Sequence, residues 1–375
     1  MTQDSAALCP LCGATADEAI LDRTAVPVFQ NVLYATPQEA EAAATGCLAI
    51  RACPACGFVH NAAFDPDCAL YDANYENNQS HSAVFSRHID ASAAAVLKAV
   101  QPGQAVLEVG CGQGYFLTRL AQAAPSGTPL VGFDPAWRGG DPPAPGIEIH
   151  ARLFDRAAAE SLGRPIGAVV TRHVIEHVPD PVAFLGAIRA ALPGTHPVDL
   201  FIETPCVRWI LDNGVVQDFF YEHCSYFTAE TLDAALDRSG FETVSVDHVF
   251  GGQYLWAHAR ASGVAGAETA ASGDDLRASV ATFRSRHAHA LTGWHDTLAA
   301  ARQKGRVALW GGGAKGVTFA AVFDPSHTLI DCIVDINPGK QNRFTPLTAH
   351  PVLSPECRSI ARNWHPGGDE PPVPR

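Results

Sequence analysis

The sequence predicts an α/β protein built on a parallel sheet covered on both faces by helices. A four-cysteine module precedes the sheet, and a second α/β unit follows it. Three observations carry this expectation. Short apolar strands alternate with helices from about Ala91 onward, two of those strands run into glycine-rich turns, and two Cys-Pro-x-Cys pairs stand ahead of them all.

Taken in order, residues 1–72 hold the cysteine pairs and little helical periodicity, and form the first unit. The core is expected over 73–260. Ala91 to Val100 is helical in composition, Ala105 to Val109 is a strand ending in glycines, and Tyr115 to Ala123 is a helix. Leu130 to Phe133 is the next strand, followed by a Pro/Gly loop from Asp134 to Gly146. Gly167 to Thr171, Val198 to Glu203 and Thr243 to Val249 complete the strand series. A Gly/Ala/Ser linker, Ala261 to Gly273, leads to a long amphipathic helix with Leu276, Val280, Phe283, Leu291, Trp294 and Leu298 on one stripe. His287 shares that stripe and is expected to pack. The linker and helix fill 261–304. Arg306 to Leu309 opens a C-terminal α/β unit, 305–375, with a further strand at Leu329 to Val334. From Cys357 the chain turns Pro/Gly-rich and aperiodic, so this unit is expected to be truncated.

Composition narrows the function. The 375 residues are 47% hydrophobic and 17% charged, as a protein with a sizeable core is. Acidic residues number 39 against 26 basic, a net charge of -13, which repels phosphate backbones and argues against a nucleic-acid partner. No apolar run reaches the ~20 residues that span a bilayer. The first residues are polar and lack a signal-peptide layout, so a cytoplasmic location and no membrane partner are expected.

Cys9-Pro10-Leu11-Cys12 and Cys53-Pro54-Ala55-Cys56, each followed by a glycine, present two pairs of thiols on tight turns. Four thiolates satisfy tetrahedral zinc and leave no coordination position open, so the expected Zn2+ is structural. Cys47 and Cys68 stand outside the pairs and are expected to act as small hydrophobes.

Val106-Leu107-Glu108-Val109-Gly110-Cys111-Gly112-Gln113-Gly114 ends a strand and opens a helix. Glycines there let the backbone approach a ligand closely. Nicotinamide-dependent dehydrogenases use similar loops. Two features point elsewhere: Glu108 can face the cationic end of an amino acid, and Asp134 ends the next strand, where it can accept from ribose hydroxyls. The third-glycine spacing of the dinucleotide fingerprint is also missing. These residues, with Thr171-Arg172-His173-Val174-Ile175-Glu176-His177-Val178-Pro179-Asp180-Pro181, resemble the class I S-adenosylmethionine-dependent methyltransferases. The resemblance implies a Rossmann-like core. It assigns S-adenosylmethionine to Glu108, Gly110, Gly112, Gly114 and Asp134, with Arg172 and His173 at the same edge.

Phe219-Phe220-Tyr221-Glu222-His223-Cys224-Ser225-Tyr226-Phe227 falls beyond the carboxyl edge of the sheet, where open α/β folds place ligands. An adjacent Glu and His can serve as a base and its polarising neighbour. The order of cysteine pairs, core, Glu-His segment and glycine-lysine loop is similar to the zinc-containing sugar C-methyltransferases of deoxysugar biosynthesis, over nearly the whole chain. That resemblance implies His223 as the base that removes a proton beside a keto group. Glu222 and Tyr221 lie next to it, His177 near the keto oxygen and Tyr75 near the substrate. The chain departs from the family pattern at Phe220-Tyr221 and at His173, where an Asn often stands. The acceptor, expected to be a small metabolite such as a sugar nucleotide, could offer carbon, oxygen or nitrogen.

Leu309-Trp310-Gly311-Gly312-Gly313-Ala314-Lys315-Gly316 follows a strand and precedes a helix, which suits a phosphate or carboxylate. The resemblance makes Lys315 a substrate contact; a lysine turned to water is the structural alternative. A dehydrogenase and a non-catalytic binding protein stand as the other readings of the whole chain, and a monomer or homodimer is expected.

Overall fold

Seven strands build the central sheet: Ala105–Val109 (β1), Leu130–Phe133 (β2), Ile147–His150 (β3), Ile166–Arg172 (β4), Asp199–Pro205 (β5), Phe241–Val249 (β6) and Tyr254–Ala261 (β7). The computed structural model describes residues 8–16, 18–68, 82–192, 194, 196–261 and 273–357. Strand order is β3-β2-β1-β4-β5-β7-β6. β1 to β5 are parallel, but β7 runs antiparallel to both β5 and β6. The sheet is therefore mixed, not wholly parallel. Only Phe250 to Gln253 separate β6 from β7, too few residues for a parallel crossover.

Alternation along each strand splits the apolar residues between two layers. Val106, Val170 and Phe201 pack with Phe85, Ile89 and Leu120 from the helices Ala83–Ala99 and Tyr115–Ala123. Leu107, Val169 and Ile202 pack on the opposite face with Leu185, Ile188 and Leu232 from Pro181–Ala191 and Ala229–Arg238. The first helix starts at Ala83, earlier than its composition suggests, because Ser82 caps it by accepting from the Phe85 N–H. β3 is short and follows the Pro/Gly loop, and gives no periodic signal of its own.

The N-terminal unit is a sheet of Glu18–Pro27, Thr45–Ala52 and Val59–Asn61, completed by Ser225–Tyr226. His60 pairs with Ser225 and Val59 with Tyr226. The Glu-His segment thus belongs to the N-terminal sheet as much as to the core, and the expected boundary at 72 is not a clean one.

The helix Asp274–Lys304 buries Leu276, Val280, Phe283 and Leu298, as its stripe requires. Leu291 and Trp294 depart from that pattern and are 38% and 45% exposed. This mid-section faces a cleft rather than a core, although Trp294 still meets Phe319 edge-on at 5.0 Å. The C-terminal sheet has parallel strands Ala308–Trp310, Cys332–Val334 and Pro351–Leu353, with Arg343–Phe344 antiparallel at its edge. Cys47 and Cys68 are exposed, not packed as small hydrophobes. Tyr75, the greater part of the 261–273 linker and the tail beyond 357 lie outside the described residues. Among the described residues no helix is long and apolar enough to cross a membrane.

Candidate functional site

Between β1 and β4 the connections diverge to opposite sides of the sheet, which leaves a crevice at the strands' carboxyl ends. A cleft of about 870 Å³ opens there, lined by the ends of β1, β2 and β4. Glu108, Gly110, Gly112, Asp134, Arg172, His173 and His177 all line it. Glu108 is 3% exposed, and its Oε2 is buried without a hydrogen-bond partner. Burial pushes its carboxyl up to about 8, against the pull of Arg172.

The loop glycines divide the work. Gly110 has φ +77°, and a Cβ there would come within 2.3 Å of Val174 Cγ2. Gly112 has φ +53° with nothing within 4 Å of its Cβ direction, so its backbone faces open cleft. Its N–H donates to Asp134 Oδ2 at 2.7 Å, while Asp134 Oδ1 accepts from the Ala136 N–H at 2.7 Å. Gly114 does not line the cleft; it is the N-cap of Tyr115–Ala123.

Glu203, at the end of β5 and fully buried, is the hub beneath the cleft. It accepts from Arg172 Nη2, His173 Nε2 and His88 Nε2, each at 2.8 Å. His173, in a left-handed conformation with φ 53°, also bonds Glu176 Oε1 through Nδ1 at 3.1 Å. Burial opposes its charge, but the bonds to Glu176 and Glu203 carry the imidazole up to about 9. Glu176 goes the other way: burial raises it, and His173 outweighs burial and brings it down to about 2. The Arg172 guanidinium lies 4.7 Å above the Phe116 ring. Both predicted cleft residues are therefore held by carboxylates from β5 and the turn after β4. Glu203, Glu176 and His88 are not legible as a group in the sequence, because they lie far apart in the chain and share no motif.

His177 and His223 meet edge to face at 4.7 Å, and their ring nitrogens and a Glu176 oxygen lie within 4.8 Å of one another. His177 Nδ1 bonds the Glu222 carbonyl at 2.9 Å. His223 Nδ1 is buried without a partner, and burial, reinforced by His177, lowers the ring to about 3. His223 is thus neutral at pH 7. The Glu222 carboxylate accepts from the Gln30 N–H at 3.2 Å. The Tyr221 hydroxyl accepts from the Asp65 N–H at 3.0 Å, and Gly46 leaves room for its ring. Tyr221 is a strut to the N-terminal unit and does not line the cleft. Tyr75 lies outside the described residues.

The four predicted cysteines converge. Cys9 and Cys56 sulfurs are 3.6 Å apart, Cys12 and Cys53 are 3.5 Å apart, and all four lie within 4.8 Å. The two turns are alike: Gly13 N–H donates to the Cys9 carbonyl at 2.9 Å and Gly57 N–H to the Cys53 carbonyl at 2.8 Å. Such a cage can hold a tetrahedral metal ion.

The C-terminal glycine loop repeats the core loop in its bonding. Gly312 N–H donates to Asp335 Oδ2 at 2.6 Å, and Asn337 N–H to Asp335 Oδ1 at 2.7 Å. Gly311 N–H donates to the Val334 carbonyl as Gly110 N–H does to that of Phe133, both at 2.8 Å. Lys315 is not turned to water: its Nζ pairs with buried Asp218 at 2.7 Å and donates to Gln253 Oε1 at 2.9 Å.

Residues 85–246 match the methyltransferase-domain family, and residues 257–362 match the C-methyltransferase C-terminal domain. These two segments of the chain are thus similar to methyltransferase domains. The C-methyltransferase NovU of Streptomyces niveus is 30% identical to this chain over 149 residues, which are 38% of this chain and 34% of NovU. A ubiquinone biosynthesis O-methyltransferase of Ruegeria sp. (strain TM1040) is 26% identical over 174 residues, 41% of this chain and 66% of that protein. The chain therefore spans about a third of the first relative's length and about two thirds of the second's. A solved S-adenosylmethionine-dependent methyltransferase from Aquifex aeolicus aligns with a TM-score of 0.37 at 13% identity, covering 53% of this chain and 99% of that one.

The cleft residues fit S-adenosylmethionine, the cofactor that the resemblance implies. The orphaned Glu108 Oε2 lacks the cation that an amino-acid ammonium supplies, and Asp134 retains lone pairs for ribose hydroxyls.

Proposed function

We propose that this chain moves the methyl group of S-adenosylmethionine to a carbon beside a keto group on a small, sugar-like acceptor. The observation that carries the proposal is the pair His177–His223 with Glu176 beside it, of which His177 lines the cofactor cleft. His223 is neutral and carries a ring nitrogen without a partner, which is the state a general base needs. It takes the proton from the acceptor carbon, and Glu176, anionic at pH 7, offsets the imidazolium that forms. His177, fixed through its Nδ1 by the Glu222 carbonyl, turns its other nitrogen to the keto oxygen. The bound cofactor supplies a sulfonium methyl, so a C–C bond forms as the S–CH3 bond breaks and S-adenosylhomocysteine leaves. Glu222, bonded to the Gln30 N–H, positions His223 rather than reacting.

The acceptor is a sugar nucleotide in this reading. The likeness between Gly312–Asp335 and Gly112–Asp134 supports a second ribose-binding loop, with Lys315 and the exposed Trp310 beside it. The four-cysteine cage holds structural Zn2+. NovU is named a C-methyltransferase, whereas the Ruegeria protein is named an O-methyltransferase, and its match is consistent with oxygen as the acceptor. Incubation with methyl-labelled cofactor and a panel of keto- and hydroxy-sugar nucleotides decides between them. A label on carbon by NMR supports the proposal; a label on oxygen sinks the base role of His223.

A further inference from the structure

A second cleft, of about 640 Å³, lies where the strand Glu18–Pro27, the helix Asp274–Lys304 and the helix Ala314–Phe323 come together. Four of its lining side chains carry a buried polar atom with no hydrogen-bond partner: Arg23 Nη2, Gln30 Oε1, His287 Nδ1 and Thr318 Oγ1. Among the described residues, the other such atoms include Glu108 Oε2 and Arg172 Nε in the cofactor cleft. Native folds rarely leave such atoms unbonded, so a gathering of four marks a place where a ligand supplies the partners. The same logic holds for Glu108 in the cofactor cleft.

We propose that this cleft binds an organic monocarboxylate with a hydroxyl group and an apolar body, an aryl hydroxy-acid being the simplest case. Arg23 supplies the charge. Its Nη1 donates to the Val216 carbonyl at 3.1 Å, which anchors the guanidinium and leaves Nη2 for a carboxylate oxygen. The Thr318 hydroxyl is a second donor, and Gln30 Oε1 accepts from a ligand hydroxyl. Val26, Phe219, Leu291 and Val322 line the same space and suit an apolar ring. A phosphate would find one guanidinium only: burial and the neighbouring Arg23 hold His287 neutral, and the carboxylate of Asp22, also on the lining, is paired with Arg51 at 2.7 Å. The strand is irregular here, with a register shift between Arg23 and Val26 and Ala25 at φ 54°, as where a bulge re-aims a side chain.

The cleft stands apart from the methyl-transfer reading, which can fail while this site holds. Its wall nevertheless reaches the Glu-His segment: Arg23 bonds Val216, Phe219 lines the space, and Gln30 N–H bonds Glu222.

The test uses the whole chain and 4-hydroxyphenylacetate as the probe, titrated by calorimetry beside its uncharged amide. Saturable binding of the acid, weakened about tenfold or more by Arg23→Met and by loss of the charge in the amide, supports the site. Thr318→Val guards against a folding artefact, since it removes a buried hydroxyl without a partner; it should melt no lower than the parent and still weaken the acid. Asp134→Asn, in the cofactor cleft, should leave this binding unchanged. The proposal falls if the acid does not bind saturably, if the amide binds equally well, or if Arg23→Met and Thr318→Val leave the affinity as it was. A crystal soaked with the acid that shows only ordered water on Arg23 and Thr318 overturns it too.

Discussion

His173 Nε2 and Glu203 Oε1 lie 2.8 Å apart and bind the left-handed end of β4 to β5 beneath the cofactor cleft. Glu203 is the counter-ion for both His173 and Arg172. Replacing it by glutamine leaves Arg172 without its carboxylate and His173 with Glu176 alone. Glu203→Gln should cost about 3–5 kcal/mol in urea unfolding, the range for breaking a buried pair. A loss below about 1 kcal/mol would show that the cluster is not charged as described.

The same cluster sets a pH window. His173 rises from 6.5 to about 9, so its contribution is fully present below pH 6.5 and is lost as pH climbs through 9. Glu176 drops from 4.5 to about 2, so its contribution is present above 4.5 and is lost as pH falls through 2. Melting temperatures over a pH series should show the cluster at full strength between about 4.5 and 6.5. In Glu203→Gln the alkaline decline should shrink.

In the proposed reading Glu108 sets cofactor affinity. With its carboxyl near 8 in the free protein, binding an ammonium at pH 7 must expel a proton. Affinity for S-adenosylmethionine should rise with pH up to about 8, and calorimetry in buffers of different ionisation heat should register the released proton. Glu108→Gln should lose both the proton and at least about tenfold in affinity, the worth of a hydrogen bond to a charged group.

The loop glycines separate folding from binding. Gly110→Ala drives a methyl group into Val174 and should destabilise the fold by about 1–3 kcal/mol through overpacking alone. Gly112→Ala meets open space, so the chain should still fold, at a cost of about 1–2 kcal/mol for its positive φ. Its new methyl occupies the cofactor's side of the loop, and cofactor affinity should fall. Equal melting losses with equal affinities would refute the division.

His223→Gln should retain cofactor binding and lose about 100-fold or more in turnover, as removal of a general base does. Unchanged turnover would remove the base assignment. Stripping metal from the four-cysteine cage with a strong chelator should lower the unfolding temperature by ~5 °C or more. Metal analysis before and after tests whether the ion is zinc.

Local chemistry made part of this molecule legible in its sequence. The cysteine pairs, the glycine loop with Glu108 and Asp134, and most strands of the core announce themselves within a few residues of chain, because turn geometry and apolar alternation are short-range properties. β7 is absent from the strand series read in the sequence. Its direction depends on the brief turn at Phe250 to Gln253 and on pairing with β5, which alternation does not encode.

By itself, then, the sequence determined the α/β class, the glycine loop with its two acids and the meeting of the four cysteines. Only the tertiary structure decided that Tyr221 is a strut on Asp65, that Lys315 is tied to Asp218, and that Glu203 gathers His88, Arg172 and His173. It also turned the middle of the long helix toward a cleft instead of a core. The reason is physical. Burial and charge pairing are set by neighbours that arrive from distant parts of the chain, and a side chain's type leaves its partner open until the sheet has brought the two together.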